Sequence, residues 1–357
     1  MSLIILKMIR YRQATKEDNQ QLINLTAASG MKGETGLRID RQPDFFTLLQ
    51  MRGDTTVFVA LDDETIIGVL CVSLQQVYVG GQIYPLQYIG DFKVAEPYRN
   101  KGIGLQLCNN LADFVVPIGA DLAFLNVSKG NNKPLPFFKD RPGIPDFDNI
   151  GIFNIYQFVG RKKKAYHLGY KIEPVPVTDT FIHFLNGRYS KYELGPVITK
   201  ETLQGAINFV IQHNNEIIAS MSMVDMMSAK QNVATKISRK LKILLTCINA
   251  LSGFLGISKM PVLNEPVQMM YIKYLAVNDN QEQLVKLLVN HARNIVYEKG
   301  YSFVSVGLHE KDALNTCFTG LFKLTFNSVG MLLSIKDSKY LIEKVKQGIP
   351  FEDYSLV

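Results

Sequence analysis

A strand–helix–strand order over residues 82–128 recurs over residues 266–308, and this recurrence limits the possible folds more than any other feature. In the first stretch QIYPLQYIGDFKVAEP reads as a strand. LQLCNNLADFVV follows as a helix with apolar residues at Leu105, Leu107, Leu111 and Phe114, and ADLAFLNVS as a buried strand. In the second stretch PVQMMYIKYLAV, NQEQLVKLLVNHARNIVYEKG and YSFVSVGL give strand, helix and strand again. A hairpin precedes each copy, one turning at Asp62-Asp63-Glu64 and the other at Asn214-Asn215. Two copies of one α/β module is the economical reading.

At 357 residues the chain suits two domains, at roughly 150 residues each. The segment RKKKAYHLGYKIEPVPVTD mixes a charge run with prolines and marks the boundary, giving domains 1–165 and 166–357. The run Arg161 to Lys164 reads as a solvated rim. An insertion near 226–265 holds SRKLKILLTCINALSGFLGI, a helix with apolar residues at Leu241, Leu244, Leu245, Ile248, Leu251 and Leu255. It is too short, and too basic at its start, to span a membrane. Packing onto its domain is the first reading; a membrane-surface helix or a lid over an apolar substrate are the others.

Hydrophobic residues make up 47% and charged residues 20%, as in a soluble globular protein. The net charge of +7 favours acidic partners, a nucleotide-bearing one included. The basic residues are scattered without interleaved aromatics, so no nucleic acid is expected. Cys71, Cys108, Cys247 and Cys317 lie far apart, with no histidine at metal spacing. Neither a metal site nor a disulfide framework is expected, and a reducing, cytoplasmic setting is. The start, MSLIILKMIRYRQAT, reads as a tail leading into a first strand, followed by Thr15 as the cap of a helix with Glu17 and Asp18 in its first turn.

Chemistry concentrates in RNKGIG, residues 99–104. A glycine-rich loop entering a helix presents unpaired backbone N–H groups where the helix dipole is positive. Gly102 and Gly104 let a diphosphate approach those amides, and Arg99 and Lys101 add positive charge. On six residues alone a plain turn explains the pattern equally well. The strand before and the amphipathic helix after it favour a phosphate cradle.

DFKVAEPYRNKGIGLQL resembles the acyl-CoA-binding motif of the GNAT superfamily of N-acyltransferases. RYRQATKED resembles that family's first strand and helix entry, and LNVSKGNNKPLPFFKDRPG its later strand, asparagine and helix segment. The resemblance covers about residues 9–160; the second half shares only the element order. It implies an α/β (α+β) chain of two tandem GNAT-like domains, each with a mixed, mostly antiparallel central sheet flanked by helices, the second degenerate. It further implies that acetyl-CoA or another acyl-CoA binds through the backbone of Phe92, Lys93 and Val94 along the pantetheine arm. The loop Arg99, Asn100, Lys101, Gly102, Ile103, Gly104 and Leu105 would hold the pyrophosphate, and Asn131 would lie near the thioester.

Two departures bear on catalysis. Asn126 stands where many members carry a carboxylate, and Phe138 where many carry a tyrosine acid. Neither side chain exchanges a proton at neutral pH. An ammonium acceptor must lose a proton before attack, and Asp91 and Tyr88 are the candidate catalytic residues for taking it. In the second copy Glu282, Val285 and Leu287 fall at the positions of Arg99, Gly102 and Gly104, so a diphosphate is repelled and blocked there. The expected activity is N-acyl transfer, of an acetyl group first, to a small-molecule or peptide amine by direct attack in a ternary complex. A non-catalytic acyl-CoA sensor is the alternative.

Overall fold

The strand-forming runs pair into one sheet whose order follows the repeat seen in the sequence. The computed structural model describes residues 9–30, 36–129, 138, 142–162, 169–336 and 338–357. The first repeat contains β1 (Arg10–Gln13), α1 (Asn19–Ala28), β2 (Gly36–Asp40), α2 (Phe45–Arg52), β3 (Asp54–Asp62), β4 (Thr65–Val79), β5 (Gln82–Val94), α3 (Ile103–Ile118), β6 (Leu122–Ser128) and β7 (Asp148–Val159). The second begins with β8 (Ile172–Val175), α4 (Asp179–Tyr189), β9 (Gly195–Pro196), β10 (Ile207–His213), β11 (Glu216–Asp225), β12 (Gln231–Lys236) and α5 (Arg239–Leu255). It ends with β13 (Met269–Val277), α6 (Glu282–Glu298), β14 (Phe303–His309), α7 (Leu314–Cys317), β15 (Lys323–Ser334) and α8 (Lys339–Gln347).

Among the described residues the main sheet runs β1-β3-β4-β5-β6-β15-β7-β14-β13-β11-β10-β8, with β9 on β4. From either end the pattern is the same. An edge strand meets a hairpin, then a strand antiparallel to the hairpin and parallel to the next one, β5 with β6 and β13 with β14. At the centre the repeats trade strands: β15 lies between β6 and β7, and β7 lies between β15 and β14. The boundary expected at 165/166 falls within 163–168, outside the described residues. The main sheet takes strands from both sides of that segment.

Local chemistry sets these elements. Asn214 and Asn215 take φ of 51° and 65°, the left-handed pair a two-residue hairpin needs. Strand alternation sends Leu70 and Val72 toward Ile103 and Leu107 of α3, and Val69 and Cys71 toward Leu22, Phe45 and Leu49 of α1 and α2. Gly68 permits the close approach of α3, since a Cβ there would lie 3.1 Å from Leu107 Cδ1. Leu284, Val285 and Leu288 of α6 cover Met221, Met223 and Ile272 in the matching place of the second repeat. Thr15 is the N-cap, with Glu17 and Asp18 in the first turn: a 3-10 turn spans Lys16–Asp18 and leads directly into α1, and Asp18 accepts the Thr15 N–H at 2.8 Å and bonds Arg12 twice.

The insertion reaches back to the first repeat. β12 pairs with β2, and the Gln231 amide both accepts from the Gln42 N–H at 3.0 Å and donates to its carbonyl at 2.8 Å. Leu245 and Ile248 of α5 pack against a cluster containing Met226, Met260, Met269 and Leu48. Among the described residues no helix is long and apolar enough to cross a membrane.

Candidate active site

A wedge opens in the sheet where β5 and β6 part. Their parallel pairing runs from Leu86 and Leu122 to Ile89 and Leu125 and stops there, although β5 continues to Val94 and β6 to Ser128. The cause is a bulge: Gly90 pairs with Cys71 and Lys93 with Val69, so Asp91 and Phe92 oppose a single residue of β4. Asp91 sits at φ 50°, a left-handed value that bends the strand away from β6. Phe92, Lys93 and Val94 thus line one side of the wedge, past the end of the β5–β6 pairing. Phe138 lies buried with its ring 6.0 Å from Phe92 and 5.4 Å from Phe147, as a packing residue.

RNKGIG stands just beyond the β5 end. Asn100 and Gly102 take φ of 63° and 82°, and α3 starts at Ile103 with Gly102 as its cap. Left-handed residues in such a turn aim successive N–H groups into one concavity suited to an anion. Among the described residues nothing lies within 4 Å of the place a Gly102 Cβ would occupy. Arg99 folds back, its Nε donating to the Val94 carbonyl at 3.0 Å, and Lys101 lies 5.2 Å from the centre of the Tyr98 ring. Asn131 lies outside the described residues.

Asp91 does not suit the base role expected of it. Arg41 bonds both its oxygens at 2.9 Å, Lys93 lies at 2.9 Å and Arg52 at 3.3 Å, all with little exposure. Burial alone would raise this carboxyl, but Arg41, Lys93 and Arg52 outweigh it and hold it well below the usual range. A carboxylate so stabilised accepts a proton poorly. Its place at the bulge makes it a brace for the strand end. Tyr88 is also unsuited to act as a base, because burial pushes its phenol far up and keeps it protonated. The Arg52 guanidinium lies 4.9 Å from the centre of its ring.

The wedge instead receives a carboxyl from the far end of the chain. Asn126, the first β6 residue past the paired segment, donates to Glu352 Oε2 and, at 2.6 Å, to the Tyr354 hydroxyl. Glu352 is 8% exposed, and burial pushes its carboxyl up to about 8 despite the Asn126 bond and nearby Tyr88 and Arg52. The Tyr88 hydroxyl is close enough to favour the ionised form, yet no well-aligned hydrogen bond reaches Oε1. Asn126 Oδ1 and Asp353 Oδ2 likewise have no hydrogen-bond partner, although Lys273 Nζ lies 3.4 Å from Asp353. Buried acceptor oxygens at Glu352 and Asn126 with no well-aligned donor suit an ammonium group. Glu352 and Asp353 border a cavity of about 310 Å³ between the repeats, walled by Leu74, Val77, Phe124, Pro196, Tyr274 and Phe351 among others. Sequence reasoning missed Glu352 because it lies 226 residues from Asn126. The only local signal is an acidic pair inside the apolar stretch PFEDYSLV.

The second repeat has a matching wedge, and it is filled. β13 and β14 pair from Met269 and Phe303 to Tyr271 and Ser305 and then part. Tyr189 of α4 enters the gap: its hydroxyl accepts the Leu275 N–H at 2.9 Å and donates to the Leu275 carbonyl at 3.3 Å. In the motif alignment Leu275 corresponds to Phe92. Val285 and Leu287 are buried, and Glu282 at the helix start pairs with Lys286.

Residues 19–141 match the model of the acetyltransferase (GNAT) family. No curated protein matches the chain. Among solved structures, Saccharomyces cerevisiae N-myristoyltransferase with bound myristoyl-CoA aligns with a TM-score of 0.59 at 10% identity, over 93% of this chain and 80% of that one. A GCN5-related N-acetyltransferase from Anabaena variabilis aligns at 0.53 and 13% identity, over 92% and 73%. A probable N-acyltransferase from Enterococcus faecalis aligns at 0.52 and 12% identity, over 92% and 73%. Such low identities speak to the fold. Residues 19–141 thus match the GNAT acetyltransferase family model, in a chain that shares the fold of GNAT acetyltransferases and N-myristoyltransferase.

Proposed function

We propose that the protein is an acyl-CoA-dependent N-acyltransferase whose general base is Glu352. The observation that carries this reading is a buried carboxyl raised to about 8, bonded to Asn126 at the mouth of the wedge. A base poised near neutrality takes a proton efficiently and releases it afterwards. Acyl-CoA would supply the acyl group as an activated thioester. The first-repeat residues fit it: the wedge backbone at Phe92, Lys93 and Val94 would hold the pantetheine arm, and Arg99 to Leu105 the pyrophosphate. Asn131 is proposed near the thioester.

The acceptor is a primary amine of a small molecule or peptide, entering by the cavity between the repeats. Ionised Glu352 takes one proton from the ammonium, leaving a lone pair on nitrogen. Asn126 Oδ1 and Asp353 orient the remaining N–H bonds. As the new C–N bond forms and the C–S bond breaks, backbone N–H groups near Val94 stabilise charge on the carbonyl oxygen. The nitrogen's second proton, lost as the amide forms, passes to the departing thiolate (reference pKa about 8.5), which leaves as the thiol. An acetyl donor is the simplest case.

Thioester consumption with a panel of amines tests the proposal. Turnover with the wild-type protein that falls with Glu352→Gln is the expected result. Acyl-CoA binding with no turnover for any amine would instead favour the non-catalytic sensor.

A further inference from the structure

α5 carries an apolar face that the protein leaves uncovered. Leu245, Ile248 and Ser252 point inward to the cluster under the insertion. Ile243, Leu244, Leu251, Phe254 and Leu255, which fall within about 120° of one another around the helix, form a stripe on the neighbouring, outward face. Their exposures are 58%, 54%, 55%, 93% and 49%, and Val262 just past the helix is 54% exposed. Scattered exposed apolar residues need no explanation, whereas a continuous stripe on one helix points to a partner.

Charge identifies the partner. From Lys236 to Asn264 the chain has no Asp or Glu, while Lys236, Arg239, Lys240, Lys242 and Lys259 are cationic. Arg239, Lys240 and Lys242 are exposed at the start of the stripe, and Lys259 is exposed just past its end. Arg161 and Lys162 add to that end: the Lys162 N–H donates to the Gly256 carbonyl at 2.8 Å, and Arg161 bridges to Ile257. An apolar stripe bracketed by cations matches an anionic bilayer surface, where the apolar residues enter the acyl boundary and the cations meet headgroups. With no helix among the described residues able to span, this contact lies on the surface. We infer that α5 docks the protein onto anionic membrane surfaces through Ile243, Leu244, Leu251, Phe254 and Leu255, with the flanking lysines and arginines as electrostatic anchors.

Co-sedimentation of the full chain with phosphatidylcholine vesicles, with and without phosphatidylglycerol, reads this directly. The wild-type protein pellets with the anionic vesicles, and more salt weakens the binding. Leu251→Asp with Phe254→Asp lowers partitioning by roughly tenfold or more, at unchanged melting temperature. Lys240→Glu with Lys242→Glu, which keeps the apolar stripe, lowers it on anionic vesicles as well. A wild-type protein that stays in the supernatant with anionic vesicles overturns the inference, as does undiminished binding by both variants. So does a concentration-dependent dimer that Phe254→Asp disperses, since a second copy then covers the face.

Discussion

The two wedges of this sheet arise from the same event, a parallel strand pair that parts part-way along, and they end as opposites. In the first, Phe92, Lys93 and Val94 run on past the last β5–β6 pair, and Gly102 caps α3 with no described atom within 4 Å of where its Cβ would lie. In the second, the Tyr189 hydroxyl meets the N–H and carbonyl of Leu275, and rings of Tyr192 and Phe351 pack around it. Buried backbone polar groups must be satisfied. One tyrosine does so from within, turning what could be a ligand groove into core. A repeated fold thus becomes a site or a scaffold according to who supplies the missing hydrogen bonds.

The largest test of this contrast is chemical. Glu352→Gln should lower turnover by roughly 100- to 10,000-fold while acyl-CoA affinity, measured by calorimetry, stays within a few-fold. In the wild-type protein kcat/KM should rise with pH through an apparent pKa near 8, following ionisation of Glu352. That limb should vanish in the variant. Stability should show the reverse sign. A carboxyl raised from its ordinary value contributes stability present at low pH and lost as pH climbs through about 8, so Glu352→Gln should flatten the loss measured by denaturant titration across that window.

Next comes the cradle. Gly102→Asp sets a carboxylate on a residue at φ 82° that faces the proposed pyrophosphate, and acyl-CoA binding should weaken by roughly tenfold or more. Equal affinity would remove the loop from the site. Binding to the wild-type protein should saturate at one acyl-CoA per chain, and two would break the comparison outright. The smallest effect belongs to the filled wedge. Tyr189→Phe strips the hydroxyl from Leu275 and should cost about 1–3 kcal/mol of stability with acyl-CoA affinity unchanged.

The sequence announced much of this through periodicity. The repeated strand–helix–strand order, the Asn214-Asn215 turn and the entry of RNKGIG into α3 are local signals, and the structure has each of them. Catalysis was less legible, because proton chemistry depends on which charges meet in space. Asp91 looked available beside the motif, but Arg41 and Arg52 reach it from α2 and the segment before it. Asn126 looked like a loss of function until Glu352 arrived beside it from the last residues described. The trading of β7 and β15 was equally hidden, since strand alternation says which face is buried and nothing about the neighbour.

That trade has a consequence for how the protein is made. Leu122 to Ser128 take their second ladder from Ser328 to Ser334, and the wedge they border is completed by Glu352. During synthesis the amino-terminal module can form its hairpin and helix, but β6 waits as an open edge for some two hundred residues. Folding that depends on such distant pairings is slow and exposes strand edges meanwhile. The acyl-transfer centre should therefore appear late and all at once, and expression of residues 1–165 alone should yield an aggregation-prone fragment, because its last two strands each lack the neighbour the other repeat provides.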